Sequence, residues 1–134
     1  MTIIDASAII DLLAPPDLAR RDFLIAQLPE PSEPWLAPDI LPFEVFSVIR
    51  RHVLRRALAT NLAAAVLRRL STLPIELVPT LSLLDTAWPL RDRFAAGDSL
   101  YAALALRAGE PLLTSDMRLA RAAADTGIDV RKPV

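Results

Sequence analysis

Four carboxylates spread along the chain, Asp5, Glu44, Asp98 and Asp116, stand where their neighbours make them candidates for chemistry. Asp5 follows the β-branched run Thr2 to Ile4, and Asp116 comes just after the apolar run Leu112 to Thr114. In parallel α/β sheets ligands bind outside the carboxyl ends of the strands, which is where both acids fall. Each also has a plainer reading, because an Asp between a strand and a helix is a good helix cap. Glu44 lies among Ile40, Leu41, Phe43, Val45, Phe46, Val48 and Ile49. An ionised carboxylate is costly in such surroundings unless a cation or donors compensate it. At about 100° per residue, Ser47, Arg51 and Arg55 lie near the Glu44 meridian, so that helix carries one narrow polar strip. A strip facing water is the plainer alternative. Asp98 opens a helix of small apolar residues, as a buried element would have, and it too could be a cap.

Several carboxylates cannot all stay ionised in one dry site, because mutual repulsion protonates some of them unless a cation joins them. The chain has no cysteine and a single histidine, His52, so the available ligands are oxygens. Oxygen ligation favours Mg²⁺ or Mn²⁺ over zinc. His52, mid-helix between Arg51 and Val53, reads as a surface or packing residue. A carboxylate-held divalent cation beside arginines is the constitution expected for phosphodiester hydrolysis: the metal activates water and arginines grip phosphate in bidentate fashion. Ser7, Thr114 and Ser115 are short hydroxyls beside Asp5 and Asp116, placed to orient acids or water. Ser99 and Tyr101 could hydrogen-bond near Asp98, although Tyr101 reads more simply as a packing residue.

The elements that must position these groups follow from apolar patterning and punctuation. Strands are expected at Thr2 to Ile4, Trp35 to Ala37, Ile75 to Val78, Pro111 to Thr114 and Ile128 to Val130. Helices are expected from about Ala6 to Leu13, Asp17 to Leu28, Asp39 to Arg56, Thr60 to Leu70, Thr80 to Phe94, Asp98 to Gly109 and Asp116 to Asp125. Asp39 and Thr80 are read as caps of the helices they open, and Pro42 is tolerated in a first helical turn. Strands separated by helices imply parallel β-α units with right-handed crossovers.

At 134 residues, 53% hydrophobic and 23% charged, the chain is expected to form one domain with its own core. Three scattered glycines exclude a glycine-rich phosphate loop. The longest stretch free of charged residues, Ala57 to Leu67, is 11 residues, short of a membrane span. With no basic leader segment at its start, the protein is expected to be cytoplasmic. A net charge of −1 provides no global pull toward nucleic acid. Locally the balance is uneven: Arg50, Arg51, Arg55, Arg56, Arg68 and Arg69 crowd a region that has no acid between Val45 and Pro74.

Four segments in this order resemble the PIN-domain family, and within it the VapC-type toxins of type II toxin–antitoxin systems. They are Ile3-Ile4-Asp5-Ala6-Ser7-Ala8, then Ala37-Pro38-Asp39-Ile40-Leu41-Pro42-Phe43-Glu44-Val45, then Asp98-Ser99-Leu100-Tyr101-Ala102-Ala103-Leu104-Ala105, and last Pro111-Leu112-Leu113-Thr114-Ser115-Asp116-Met117-Arg118-Leu119-Ala120. The resemblance spans nearly the whole chain. It implies a single PIN domain over residues 1–134, a three-layer α/β/α fold with a central parallel sheet of about five strands flanked by helices. It further implies that Asp5, Glu44, Asp98 and Asp116 form a catalytic Mg²⁺/Mn²⁺ pocket with Thr114 and Ser7 as matching hydroxyls, and Ser115 beside Asp116 is a further supporting candidate from its position. The activity implied is a metal-dependent endoribonuclease acting through a metal-activated water; in that reading the arginine strip of the Glu44 helix, Arg51 and Arg55, is expected to guide the RNA backbone. The partners implied are an RNA substrate, a second copy in a homodimer and a VapB-type antitoxin whose C-terminal segment covers the pocket. Two positions depart from the family pattern: Gly97 stands where relatives often have an aromatic or polar residue, and Ser99 where Ala is common.

Other chemistries fit less well. A receiver domain needs an acid pair after the first strand and a late lysine, but Asp5-Ala6-Ser7 has no pair and Lys132 lies at the terminus. A haloacid-dehalogenase-type phosphatase needs an Asp where Ser7 stands. A catalytically silent PIN-fold binding module would be expected to have lost acids that this chain retains.

Overall fold

The computed structural model describes residues 1–133. Five short parallel strands, β1 (Ile3–Ile4), β2 (Trp35–Pro38), β3 (Ile75–Val78), β4 (Leu112–Leu113) and β5 (Val130–Arg131), form one sheet in the order β3-β2-β1-β4-β5. Helices α1 (Ala6–Leu13) and α2 (Leu18–Ala26) connect β1 to β2, and α3 (Leu41–Leu54) and α4 (Thr60–Leu70) connect β2 to β3. The return to the other side of β1 runs through α5 (Leu84–Ala87) and α6 (Ala96–Ala108), and α7 (Met117–Asp125) joins β4 to β5. This is the expected α/β architecture of a parallel sheet flanked by helices. No helix among the described residues is long and apolar enough to cross a membrane.

Ile3, Ile4, Leu112 and Leu113 are fully buried, as both faces of a central parallel strand should be. Because β1 is central, the chain leaves it toward β2 on one side and returns to β4 on the other. The crevice at the β1–β4 boundary is therefore the topological switch point of the sheet. Helix α6 packs Leu100 to Ala105 into the core, where its run of alanines permits close approach. Gly109, at φ +64°, closes α6 in the left-handed conformation that glycine adopts without steric cost.

The structure corrects several local expectations. Asp39 does not cap α3, whose N-cap is Ile40 without a side-chain bond. Its Oδ1 instead accepts from the backbone N–H of Thr80 at 2.9 Å and from the Thr80 hydroxyl, tying the end of β2 to the segment beyond β3. These donors hold the exposed Asp39 carboxyl below its usual range. Thr80 therefore caps nothing, and 80–94 is not one helix: 3₁₀ turns at Thr80–Leu83 and Trp88–Leu90 flank the single turn of α5. Pro89 has no N–H to give a longer helix and would clash with an upstream carbonyl. Helix α6 begins at Ala96, and Asp98 lies inside its first turn rather than at its cap. The last strand is shifted to Val130–Arg131. Helix α3 is not apolar all round in its setting either, since Phe43 and Phe46 are 71% and 51% exposed.

Candidate active site

Asp5 leaves β1 at the switch point. Its backbone N–H still donates to Leu113 O of β4 at 3.2 Å. Its carboxylate does two things together. Oδ1 caps α1 by accepting from Ala8 N at 3.0 Å and also accepts from the Ser7 hydroxyl at 2.8 Å. Oδ2 accepts from the fully buried Thr114 hydroxyl at 2.5 Å. Both hydroxyl protons are thereby committed to Asp5. The 3.3 Å approach of Ser7 Oγ to Thr114 Oγ1 is then a contact of two oxygens rather than a further bond. Ser7 Oγ also accepts from Ser115 N at 3.0 Å, and Thr114 Oγ1 from Asp116 N at 3.0 Å. The ends of β1 and β4 are stitched into one polar network. The Ser115 hydroxyl is buried and has no hydrogen-bond partner among the described residues.

Three donors favour the ionised form of Asp5, yet its pKa is pushed up to about 6. Burial is the largest cause, since Asp5 is only 4% exposed, and the charge of Asp116 adds to it. Asp116 caps α7, its Oδ1 accepting from Arg118 N at 2.9 Å and Leu119 N at 3.3 Å. Oδ2 takes no hydrogen bond among the described residues. The capping and site readings of Asp5 and Asp116 thus hold at once.

Asp98 enters from α6, half-buried and raised in pKa by burial and by the charge of Asp116, with the Arg118 guanidinium opposing. Glu44 enters from the first turn of α3, raised by burial and by Asp98 and steadied by the Tyr101 hydroxyl, which donates to its Oε1 at 2.6 Å. The charge of Asp116 thus acts on Asp5 on one side and on Asp98 on the other, and the charge of Asp98 acts on Glu44. The four sequence-predicted acids form one line of interacting charges. Among the described residues, however, no three His, Asp or Glu side chains are gathered tightly enough to hold one ion as they stand. The donor chemistry still suits a hard divalent cation: every donor is oxygen, and Asp5, Glu44 and Asp98 are all made harder to ionise by a like-charged neighbour that a cation would offset.

Glu44 walls two clefts. One, of about 380 Å³, runs past Ser7 and Ser115 between Ile10 on α1 and Val48 on α3, and is edged by Arg20, whose Nη1 lies 3.1 Å from Asp11 Oδ2. The other, of about 780 Å³, is mostly apolar and includes Phe43, Leu84, Trp88 and Gly97, with the Arg91 guanidinium 4.6 Å from the Trp88 ring centre. Arg51 and Arg55 lie further along the Glu44 strip, exposed, and neither forms an ion pair among the described residues. They do not touch the acids. Tyr101, which the sequence offers as a hydrogen-bonding group but more simply as packing, lies three positions after Asp98 on the same helix face, and its hydroxyl does bond an acid. Arg118 carried no separate signal beside the Asp116 cap.

The PIN domain family model matches residues 2–125. Ribonuclease VapC3 of Mycobacterium tuberculosis is 38% identical over 120 residues, covering 90% of this chain and 85% of that protein. Ribonuclease VapC1 of the same organism is 36% identical over 124 residues, covering 90% and 89%. Among solved structures, PAE2754 from Pyrobaculum aerophilum superposes with a TM-score of 0.67 at 17% identity, over 96% of this chain and 82% of that one, which speaks to the fold alone. With a family match over nearly its whole length and relatives this similar end to end, the chain belongs to the PIN-domain family, in its VapC-type branch.

Proposed function

We propose that this protein is a divalent-metal-dependent endoribonuclease, the toxin of a toxin–antitoxin pair, with residues 1–134 acting as one catalytic domain. The observation that carries the reading is the line of four carboxylates at the switch point of the sheet, each linked to the next by charge. The ribonuclease names of its VapC relatives support it.

Asp5, Glu44, Asp98 and Asp116 would hold Mg²⁺ or Mn²⁺. Such an ion, when bound, polarises phosphoryl oxygens and makes water a stronger nucleophile at neutral pH. The chain's own residues do the rest. Thr114 and Ser7 lock both oxygens of Asp5, and Thr114 also fixes the backbone at Asp116, so two acids from different strands share one support. Tyr101 orients Glu44. Arg51 and Arg55, about 10 and 16 Å along α3 from Glu44 at 1.5 Å per residue, meet the phosphates of RNA lying across the site. The same reading makes the protein a cytoplasmic homodimer held silent by a VapB-type antitoxin that covers the acids.

The test is cleavage of total RNA by purified protein freed of any antitoxin, with Mg²⁺ or Mn²⁺ and with EDTA, followed by mapping of fragment ends. Cleavage that needs the metal and leaves 5′-phosphate and 3′-hydroxyl ends is the expected result. Cleavage undiminished by EDTA sinks the metal-dependent reading.

A further inference from the structure

Glu44 differs from the other three acids in how it is held. Asp5 and Asp116 are fixed by groups beside them at strand ends, whereas Glu44 must be positioned from another element across a cleft. Both of its oxygens meet α6. Oε1 accepts from the Tyr101 hydroxyl at 2.6 Å. Oε2 lies over Gly97, where a Cβ built on the backbone would stand 3.0 Å away. Gly97 and Tyr101 are one helical turn apart, so they form a single strip on α6, with Asp98 between them in sequence. Gly97 does not have a positive φ. Nothing in its backbone demands glycine, and the tight approach of Glu44 is what a side chain there would disturb.

Tyr101 is 1% exposed and is the only tyrosine in the chain. Its hydroxyl reaches Glu44 Oε1 from this buried place. Its one proton goes to Glu44.

We infer that Tyr101 and Gly97 form a seat that sets the Glu44 carboxylate toward the other acids, with Tyr101 a positioning residue and the missing side chain at 97 the clearance that lets Glu44 reach it. The consequence for metal binding and cleavage rests on the proposed nuclease reading; the seat itself does not. A Cβ at position 97 would require Glu44 to yield by a few tenths of an ångström, and the short bond to Tyr101 opposes that movement. Alanine is also the better helix former, so Gly97→Ala should leave the fold as stable or more so while unseating Glu44. A purely structural glycine would behave in the opposite way.

The experiment labels the single tyrosine with ¹³C at Cζ in the full-length protein, and in its Gly97→Ala and Glu44→Ala variants, all in EDTA. The Tyr101 resonance should shift in both variants relative to wild type, with no loss of melting temperature in Gly97→Ala. A resonance unmoved in both overturns the seat. Mn²⁺ binding is then followed by the free-ion paramagnetic resonance signal in wild type, Tyr101→Phe and Gly97→Ala. Each variant should need about 10-fold more Mn²⁺ or beyond, the usual effect of losing a group that orients a ligand. Tyr101→Phe binding Mn²⁺ as wild type does overturns the positioning role. If wild type neither binds Mn²⁺ nor cuts RNA, the nuclease reading fails, and the ¹³C shifts still decide the seat.

Discussion

Asp5 combines a capping bond, two hydroxyl donors and a buried setting, and the balance of these sets a measurable cost. Its pKa rises from 3.8 to about 6 on folding, so the folded state holds the proton more tightly than the unfolded chain. In EDTA the contribution of Asp5 to stability should therefore fall as pH rises between about 4 and 6, reaching a loss on the order of 3 kcal/mol at neutral pH. Asp5→Asn removes that ionisation. It should melt above wild type at pH 7 in EDTA and lose the Asp5 share of the pH dependence, yet cut RNA more than about 100-fold slower, beyond the effect of losing a merely supporting group. Thermal melts from pH 4 to 7 beside cleavage rates check both halves. An Asp5→Asn variant that melts below wild type at pH 7 contradicts the burial argument. Thr114→Val keeps the volume but removes a donor to Asp5 and an acceptor for Asp116 N, both in a fully buried place. It should cost about 1–3 kcal/mol by denaturant titration and slow cleavage about 10–100-fold.

Helix α7 and helix α2 begin alike, each with an Asp whose side chain accepts from backbone N–H groups of the first turn. Asp116 caps α7 at the switch point, while Asp17 caps α2 after the Pro15-Pro16 break, accepting from Arg20 N at 2.7 Å. Alanine at either position should cost about 1 kcal/mol in denaturant melts. Cleavage should collapse only in Asp116→Ala; equal loss of activity in both variants would mean that helix stability, and not the carboxylate, carries the effect. The segment between β3 and α6 shows the reverse arrangement, in which a polar residue placed like a cap does something else. There Thr80 opens a 3₁₀ turn whose N-cap is Pro79, and its N–H and hydroxyl go to Asp39 at the neighbouring strand end.

Folding draws acids from four separate stretches to one edge of the sheet, and their mutual repulsion is a load on the whole structure that a cation would relieve. A bound ion stabilises the folded state by mass action, by about 2.7 kcal/mol at a hundredfold excess over its dissociation constant. For a chain of this size that corresponds to a rise in melting temperature on the order of 10 °C. Mn²⁺ or Mg²⁺ should raise the melting temperature of wild type, and Asp98→Ala should remove most of the rise while remaining folded. Parallel melts with EDTA and with metal measure it; an equal rise in both proteins would move the ion away from these acids.

The approximate places of β1 to β4, the starts of α1, α2, α4 and α7, and the place of Asp5 and Asp116 beyond β1 and β4 are legible from local chemistry alone. Apolar runs, β-branched residues, prolines and capping side chains act over a few residues, and their effects are written next to one another along the chain. Partners from different elements were not legible. Hydrophobicity says that a face of α3 must be covered, not which neighbour covers it, and so it could not say that Phe43 and Phe46 stay exposed or that Glu44 turns toward α6. Asp39 looked like a cap because its own neighbours allow one, and the competing donor lies 41 residues away at Thr80. Tyr101 looked like core because it is core, and its hydroxyl acquires a role only when α3 carries Glu44 to it. Such pairings depend on the packing of the assembled sheet and helices, because a hydrogen bond or a charge is felt over a few ångströms in space, whatever the distance along the chain.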